Sequence, residues 1–215
     1  MIDIEVNAYL EELEKQQPVP NWISEMETYA KENHVPIMEP LGVAFLKQLI
    51  MLRKPQRILE IGTAIGYSAL QMIEGNPEAK IVSIERNPDM IAQATKNILQ
   101  QQKNDAITII EGDALELLKE IEKHGPFDFI FIDAAKGQYK RFFELYESVL
   151  TTDGVIVTDN VLFKGYVTNQ EEAPRRLKNL VAKIKHYNEW LMQRKDYETH
   201  IYPIGDGIAI SIKNQ

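Results

Sequence analysis

The chain has 215 residues, 44% of them apolar, which is enough to bury one full hydrophobic core rather than two small ones. It contains no cysteine, so disulfides, zinc–thiolate sites and thiol nucleophiles are excluded. A formal net charge of −8 argues against a protein that binds polyanions indiscriminately.

The first residues are acidic and lack an apolar leader segment. No apolar run reaches the roughly 18 residues that a membrane span needs. The lack of cysteine is compatible with a reducing compartment. We therefore expect a cytoplasmic protein without a membrane partner.

Residues 1–52 are predicted to form helices, with breaks at the proline-containing segments 18–20 and 36–40. Five short β-rich runs follow, at 57–61, 80–84, 107–111, 127–132 and 155–158. Helical segments are predicted between them, beginning near Tyr67, Asn87, Asp113 and Gln138. This alternation favours a parallel sheet, because parallel neighbours need a crossover connection.

The C-terminal runs differ from the earlier ones. Segments 199–204 and 208–212 flank a glycine-rich turn, which predicts an antiparallel hairpin. The elements together predict one α/β domain over 1–215, with a helical region at 1–52 and a core at 53–215. Its fold class is Rossmann-like, with a mostly parallel seven-stranded sheet, the C-terminal antiparallel hairpin and extra N-terminal helices.

A glycine turn follows the first strand and leads directly into a helix. The run from Glu60 to Ser68 contains Gly62 and Gly66, which are expected to let backbone amides approach a ligand. No lysine follows as in a phosphate-binding loop, and the spacing differs from Gly-x-Gly-x-x-Gly. A tight connection without a ligand is the alternative.

Acidic residues at the next two strand ends favour a ligand. Glu85 is placed to accept hydrogen bonds from two ribose hydroxyls, as acidic residues do in dinucleotide-binding folds. Asp113 and Ala114 follow the third strand, where an adenine amino group can be recognised. The three strand ends therefore indicate an adenosine-type cofactor.

A second group of polar residues follows two later strands. Asp133 ends one buried strand, and Asp159 and Asn160 end another. Two carboxylates and an amide oxygen form a set of hard ligands that suits Mg²⁺. The alternative is that Asp159 and Asn160 only cap a turn. Lys136 is a candidate general base beside such a cation, or a solvated surface lysine.

At these positions the chain resembles the cation-dependent, S-adenosylmethionine-dependent O-methyltransferases of the catechol and caffeoyl-CoA type. The resemblance implies a class I methyltransferase fold and a magnesium or manganese site at Asp133, Asp159 and Asn160. It implies catalytic roles for Lys136 and Asp133. It also implies a cofactor site that comprises Met38, Glu60, Gly62, Gly66, Ser68, Glu85, Asp113, Ala114 and Asp133.

Within this family, two runs resemble most closely the bacterial tRNA 5-hydroxyuridine methyltransferases, which form 5-methoxyuridine at the wobble position. The runs are 132–139 and 159–162. This resemblance implies the tRNA anticodon region as partner. The chain has Ala134-Ala135 where catechol enzymes have a bulky aromatic residue, and Phe163-Lys164 where they have a proline. We therefore expect an open mouth and a larger, anionic acceptor.

Residues 161–195 carry eight basic and three acidic residues, so this segment is +5 within an otherwise acidic chain. Candidate RNA contacts are Lys164, Arg175, Arg176 and Lys178, although a charged helix is often only a solvated face. A small-molecule O-methyltransferase and a non-catalytic cofactor-binding module remain alternatives. The N-terminal helices are a candidate dimer face, and a homodimer is expected.

Overall fold

The computed structural model describes residues 4–16 and 18–214. The helices are α1 (Ile4–Lys15), α2 (Asn21–Glu32), α3 (Pro40–Arg53), α4 (Tyr67–Gly75), α5 (Pro88–Gln100), α6 (Leu118–Ile121), α7 (Tyr139–Tyr146) and α8 (Lys178–Gln193). The strands are β1 (Arg57–Ile61), β2 (Lys80–Glu85), β3 (Ile107–Glu111), β4 (Phe127–Ile132), β5 (Leu150–Thr158), β6 (Tyr197–Tyr202) and β7 (Ile208–Lys213).

The strands form one seven-stranded sheet in the order β3-β2-β1-β4-β5-β7-β6. Strands β1 to β5 are parallel, and β7 pairs antiparallel with both β5 and β6. The predicted fold class is therefore confirmed. Because the chain leaves β1 toward β2 and later returns to β4 on the other side of β1, the strand order reverses between β1 and β4.

The central strands are apolar on both faces, because helices cover the sheet on both sides. Phe129 and Phe131 of β4 join the core on one face, which is packed against α2 to α5. Ile130 and Ile132 point to the opposite face and join the core that α7 and α8 cover. Because β1 to β5 are parallel, their carboxyl ends lie at one edge of the sheet, between the two helix layers.

Several predicted boundaries are wrong, and three of these differences have a clear physical reason. The helix expected near Asp113 begins only at Leu118, because the Asp113 carboxylate accepts a hydrogen bond from the Leu115 amide (2.9 Å) and forms a turn. Strand β5 begins at Leu150 rather than at 155, since Leu150 pairs with the start of β4. Strand β6 ends at Tyr202, before Pro203, which has no amide to donate.

The proline breaks lie where they were predicted. Pro40 takes the first position of α3, where its missing amide costs no helical hydrogen bond.

Within the described residues, no helix is long and apolar enough to span a bilayer.

Candidate active site

A cavity of about 590 Å³ opens at the carboxyl ends of the parallel strands, beside the reversal between β1 and β4. This is the edge where open α/β sheets bind their ligands. Of the predicted site residues, those that line the cavity are Met38, Gly62, Ser68, Glu85, Asp113, Ala114, Asp133, Lys136, Asp159 and Asn160. The structure thus brings together residues that lie far apart in the sequence.

Gly62 is the point where the ends of β1 and β4 touch. A Cβ atom there would lie 2.1 Å from the Asp133 carbonyl oxygen, so no side chain fits. Its φ angle of 107° is also one that other residues rarely adopt. Glycine is required at this position because two backbones meet here.

The amides of the glycine turn point into the protein, contrary to the expectation from the sequence. Gly62 donates to the Ile84 carbonyl (3.0 Å), Gly66 donates to the Thr63 carbonyl (2.8 Å) and Ala64 donates to Glu85 Oε2 (2.9 Å). A Cβ atom on Gly66 would lie 3.5 Å from Ala94 of α5, so Gly66 faces a helix and lies behind the cavity wall. These three amides shape the turn through bonds within the protein, while Gly62 still lines the cavity, so its approach to a ligand stays a prediction.

Glu85 faces the cavity and holds the turn in place. Besides the bond from Ala64, its Oε1 accepts hydrogen bonds from the amides of Arg86 (2.9 Å) and Asn87 (3.0 Å). Since a carboxylate has about four acceptor positions, one on Oε2 remains for a ligand. The predicted bond to ribose needs that position, and it stays a prediction.

Glu60 lies behind the cavity wall, fully buried, and accepts hydrogen bonds from Ser68 Oγ (2.5 Å) and Ser83 Oγ (2.5 Å). Burial raises the pKa of Glu60 to about 7, although these two hydrogen bonds oppose the shift. Glu60 therefore supports Ser68, which does line the cavity. Direct contact with a cofactor, as the resemblance implies, does not fit this position.

Replacing Glu60 with Gln should remove a stability penalty that grows with pH. Below pH 4.5 both folded and unfolded chains are protonated at this residue, whereas above pH 7 the folded protein must bury a charge. The difference between 4.5 and about 7 corresponds to about 3 kcal/mol. Urea unfolding should show Glu60→Gln gaining stability over wild type by up to that amount from pH 5 to pH 8. The control is Glu74→Gln, because Glu74 is exposed. If the stabilities of wild type and Glu60→Gln changed with pH in parallel, the prediction would be contradicted.

The remaining cofactor candidates lie around the same cavity. Met38 is buried against α3, where a Cβ atom on Gly42 would lie 3.2 Å from Met38 Cε. Asp113 bonds the Leu115 amide and pairs with Arg86 at 3.7 Å, so its carboxylate is fixed at the end of β3. These positions are compatible with the predicted roles and do not test them.

Two acidic side chains meet at the other end of the cavity. Asp159 is 3% exposed and accepts hydrogen bonds from the Asn160 amide (2.7 Å) and side-chain nitrogen (3.2 Å). Burial, reinforced by the charge of Asp133, raises the pKa of Asp159 to about 8. Burial also raises the pKa of Asp133, and the ammonium of Lys136 opposes this shift. A buried carboxylate beside a half-buried one is a favourable place for a cation.

The Lys136 ammonium donates to Asn160 Oδ1, so an internal cation occupies this cluster of oxygens. The Asn160 side chain directs its oxygen toward Lys136 and its nitrogen toward Asp159. The residues fit a divalent cation by their chemistry, provided that Lys136 releases Asn160. Among the described residues, no three His, Cys, Asp or Glu side chains cluster to hold a metal. The predicted site rests instead on two carboxylates and one amide.

Three residues near Asn160 had no predicted role in this site. Phe163 and Leu180 line the cavity beside Asn160, and Asp206, on the β6–β7 turn, lies close enough to raise the pKa of Asp159. Asp206 gives the sequence only a hairpin signal, Gly-Asp-Gly, and its approach depends on the pairing of β7 with β5. Phe163 lies three positions after Asn160, and the sequence marked it only as part of the Phe163-Lys164 pair that replaces a proline of the catechol enzymes.

The basic segment is less free than its charge suggests. Arg194 forms ion pairs with Glu147 and Asp196, and Lys178 pairs with Glu171. Arg175 and Arg176 are exposed in the turn before α8, and Lys164 is exposed beside Phe163. Of the four predicted RNA contacts, three are thus exposed, and the fourth has an acidic partner.

A model of the O-methyltransferase family matches residues 4–214. The chain is 30% identical over 172 residues to a caffeoyl-CoA O-methyltransferase of Populus kitakamiensis, a match that covers 77% of this chain and 73% of the relative.

Solved structures agree with the family match. A Staphylococcus aureus protein provisionally assigned as a caffeoyl-CoA O-methyltransferase superposes with a TM-score of 0.89 at 40% identity, covering 96% of this chain and 98% of that one. An SAH-bound methyltransferase of Podospora anserina superposes with a TM-score of 0.87 at 26% identity, covering 99% and 97%. Because the family model matches nearly the whole length of this chain, the chain belongs to the O-methyltransferase family.

Proposed function

We propose that this protein transfers a methyl group from S-adenosylmethionine to one of two adjacent oxygens on an acceptor, with the help of Mg²⁺ or Mn²⁺. One observation carries the proposal: Asp133, Asp159 and Asn160 face the same cavity as Lys136 and Glu85. A donor site and an oxygen-rich acceptor site thereby share one space. The SAH-bound relative from Podospora anserina supports the choice of donor.

When bound, S-adenosylmethionine supplies the methyl group and the divalent cation lowers the pKa of the acceptor hydroxyl. Asp133, Asp159 and the Asn160 amide oxygen would hold the cation. Lys136, released from Asn160 and in its neutral amine form, would take the hydroxyl proton on Nζ. Glu85 holds the cofactor end of the cavity, so that the two reactants are kept together.

The proposed acceptor is 5-hydroxyuridine in the anticodon region of tRNA, whose 5-hydroxyl lies beside the 4-carbonyl oxygen. The runs 132–139 and 159–162 support this acceptor. Exposed cations near the cavity also support it, because phosphates flank the target base. Lys183 is one of these cations: a Cβ atom on Gly137, which lies between the cavity residues Lys136 and Gln138, would be 3.8 Å from Lys183 Nζ. Exposed Lys164 is another, and it directly follows Phe163, which lines the cavity. Ala134 and Ala135 leave the mouth without a bulky side chain.

A small-molecule acceptor is the second candidate. The relative from Populus kitakamiensis is named for caffeoyl-CoA, a small acceptor, and it is 30% identical to this chain. Catechol-like acceptors also present two adjacent oxygens, so the same residues serve both reactions. The two candidates differ in whether the exposed lysine and arginine side chains near the cavity contribute to binding of the acceptor.

The acceptor can be identified by measuring the rates at which the same enzyme methylates hydroxylated tRNA, unmodified tRNA and catechol. Replacing Arg175, Arg176 and Lys183 with Gln should weaken binding of hydroxylated tRNA. It should also flatten the salt dependence by up to about 0.7–0.9 logarithmic units per lost phosphate contact. The matched control replaces exposed Lys54 and Lys80 with Gln, at the opposite edge of the sheet. Efficient turnover of catechol, with hydroxylated tRNA inert, would establish the small-molecule candidate.

A further inference from the structure

The segment after Asp159 has an unfavourable backbone conformation. Asn160, Phe163 and Lys164 have positive φ angles of 57°, 44° and 57°. A bulky aromatic residue rarely adopts this conformation, because its Cβ then crowds the backbone. Such residues persist where the surrounding structure holds them. Contacts from outside the segment must therefore stabilise Phe163 and Lys164.

The turn between β6 and β7 provides these contacts. The Val161 amide donates to the Gly207 carbonyl (3.0 Å), and the Leu162 amide donates to the Asp206 carbonyl (2.9 Å). A Cβ atom on Gly207 would lie 2.3 Å from Leu162 Cγ, so the turn packs directly on the segment. The two loops form one unit at the end of β5.

Asp206 binds both strained residues. The Phe163 amide donates to its carbonyl oxygen (3.3 Å), and the Lys164 amide donates to its side-chain Oδ1. The carboxylate is half-buried, and the charges of Lys136 and Lys164 lie nearby. A hydrogen bond from an amide to a carboxylate is among the stronger ones in proteins.

The position of Phe163 shapes the acceptor end of the cavity. Its side chain is 8% exposed and lines the cavity together with Leu180. It also packs in a small core with Val181 and Ile184 of α8. We call Phe163 and Leu180 the acceptor wall.

We infer that Asp206 is a positioning residue, whose carboxylate fixes the backbone at Lys164 and so holds the preceding residue, Phe163, in the acceptor wall, which sets the affinity for the acceptor. The inference rests on the proposed function, since that function places the acceptor beside Asp159 and Asn160. Asp206 is not among the residues that line the cavity, so in this inference it acts through the backbone of segment 161–165. The donor end of the cavity is independent of it.

Two variants separate the hydrogen bond from the charge. Asp206→Asn keeps an oxygen that accepts from the Lys164 amide, whereas Asp206→Ala removes it. The alanine variant should raise KM for whichever acceptor the wild type methylates by roughly 10- to 100-fold, with a smaller change in kcat. The asparagine variant should stay close to wild type, and calorimetric affinity for S-adenosylmethionine should be unchanged in both. An asparagine variant as defective as the alanine variant would overturn the positioning role, since charge would then be the cause.

A double variant tests whether Asp206 acts through Phe163. If it does, adding Asp206→Ala to Phe163→Ala should raise KM little beyond the Phe163→Ala value. If the two substitutions raised KM independently, so that their fold-changes multiplied in the double variant, the inference would be overturned.

Hydrogen exchange gives a readout that needs no acceptor. The Lys164 amide should exchange roughly tenfold or more faster in Asp206→Ala, and at the wild-type rate in Asp206→Asn. Unchanged exchange in the alanine variant would overturn the positioning role. A wild-type enzyme that methylates neither tRNA nor catechol would instead refute the proposed function, so the two failures are distinguishable.

Discussion

Treatment with EDTA should abolish methyl transfer, and Mg²⁺ or Mn²⁺ should restore it. Burial raises the pKa values of Asp133 and Asp159, so ionising both carboxylates requires more positive charge than Lys136 provides. A divalent cation would supply that charge and activate the acceptor hydroxyl. Turnover measured across a metal titration tests this, and full activity in chelated enzyme would contradict it.

The same titration should depend on pH. A cation must displace the proton that Asp159 carries below about pH 8. Apparent metal affinity should therefore fall as the pH falls from 8 toward 6, by up to about tenfold per pH unit for each proton displaced. Asp159→Asn, which cannot ionise, should bind the metal weakly at every pH. A metal affinity that does not change with pH in the wild type would count against Asp159 as a ligand.

Replacing Lys136 with Ala should lower the single-turnover rate at saturating substrates by roughly 10²–10⁴-fold, the usual contribution of a general base. Lys136→Arg should not restore the rate, because a guanidinium stays protonated. Lys140→Ala provides a matched control, since Lys140 lies one turn further on and pairs with Glu144.

Metal affinity separates the two roles of Lys136. Because its ammonium donates to Asn160 Oδ1, removing it frees a predicted ligand. Lys136→Ala should therefore bind the cation at least as tightly as the wild type while transferring methyl groups slowly. A slow variant that has also lost the metal would mean that Lys136 supports the site and is not the base.

The sequence was sufficient to predict the fold because strand and helix periods alternate clearly from residue 57 onward. The location of the site also followed, since the ends of parallel strands meet at one edge. Asp133 and Asp159 lie 26 positions apart in the sequence, yet they end neighbouring strands. A pattern of strand ends is enough to bring such residues together.

Features that depend on contacts between distant segments were not predictable. The inward amides of the glycine turn depend on Ile84 and Glu85 of the neighbouring strand. Glu60 is a polar residue next to a glycine turn, and only the packing around it shows that it is buried. The helix near Asp113 was wrongly predicted for a different, local reason, because the hydrogen bond between the Asp113 side chain and the Leu115 amide competes with helix formation.

The contact between Gly62 and the Asp133 carbonyl oxygen bears on how this protein can evolve. Because no side chain separates the two backbones, any substitution at Gly62 disturbs the donor and acceptor halves together. The acceptor wall, in contrast, consists of the side chains of Phe163 and Leu180, so substitutions there change the shape of the acceptor end alone. New acceptor specificities are therefore expected to arise through residues 163–180, while the junction at Gly62 remains unchanged.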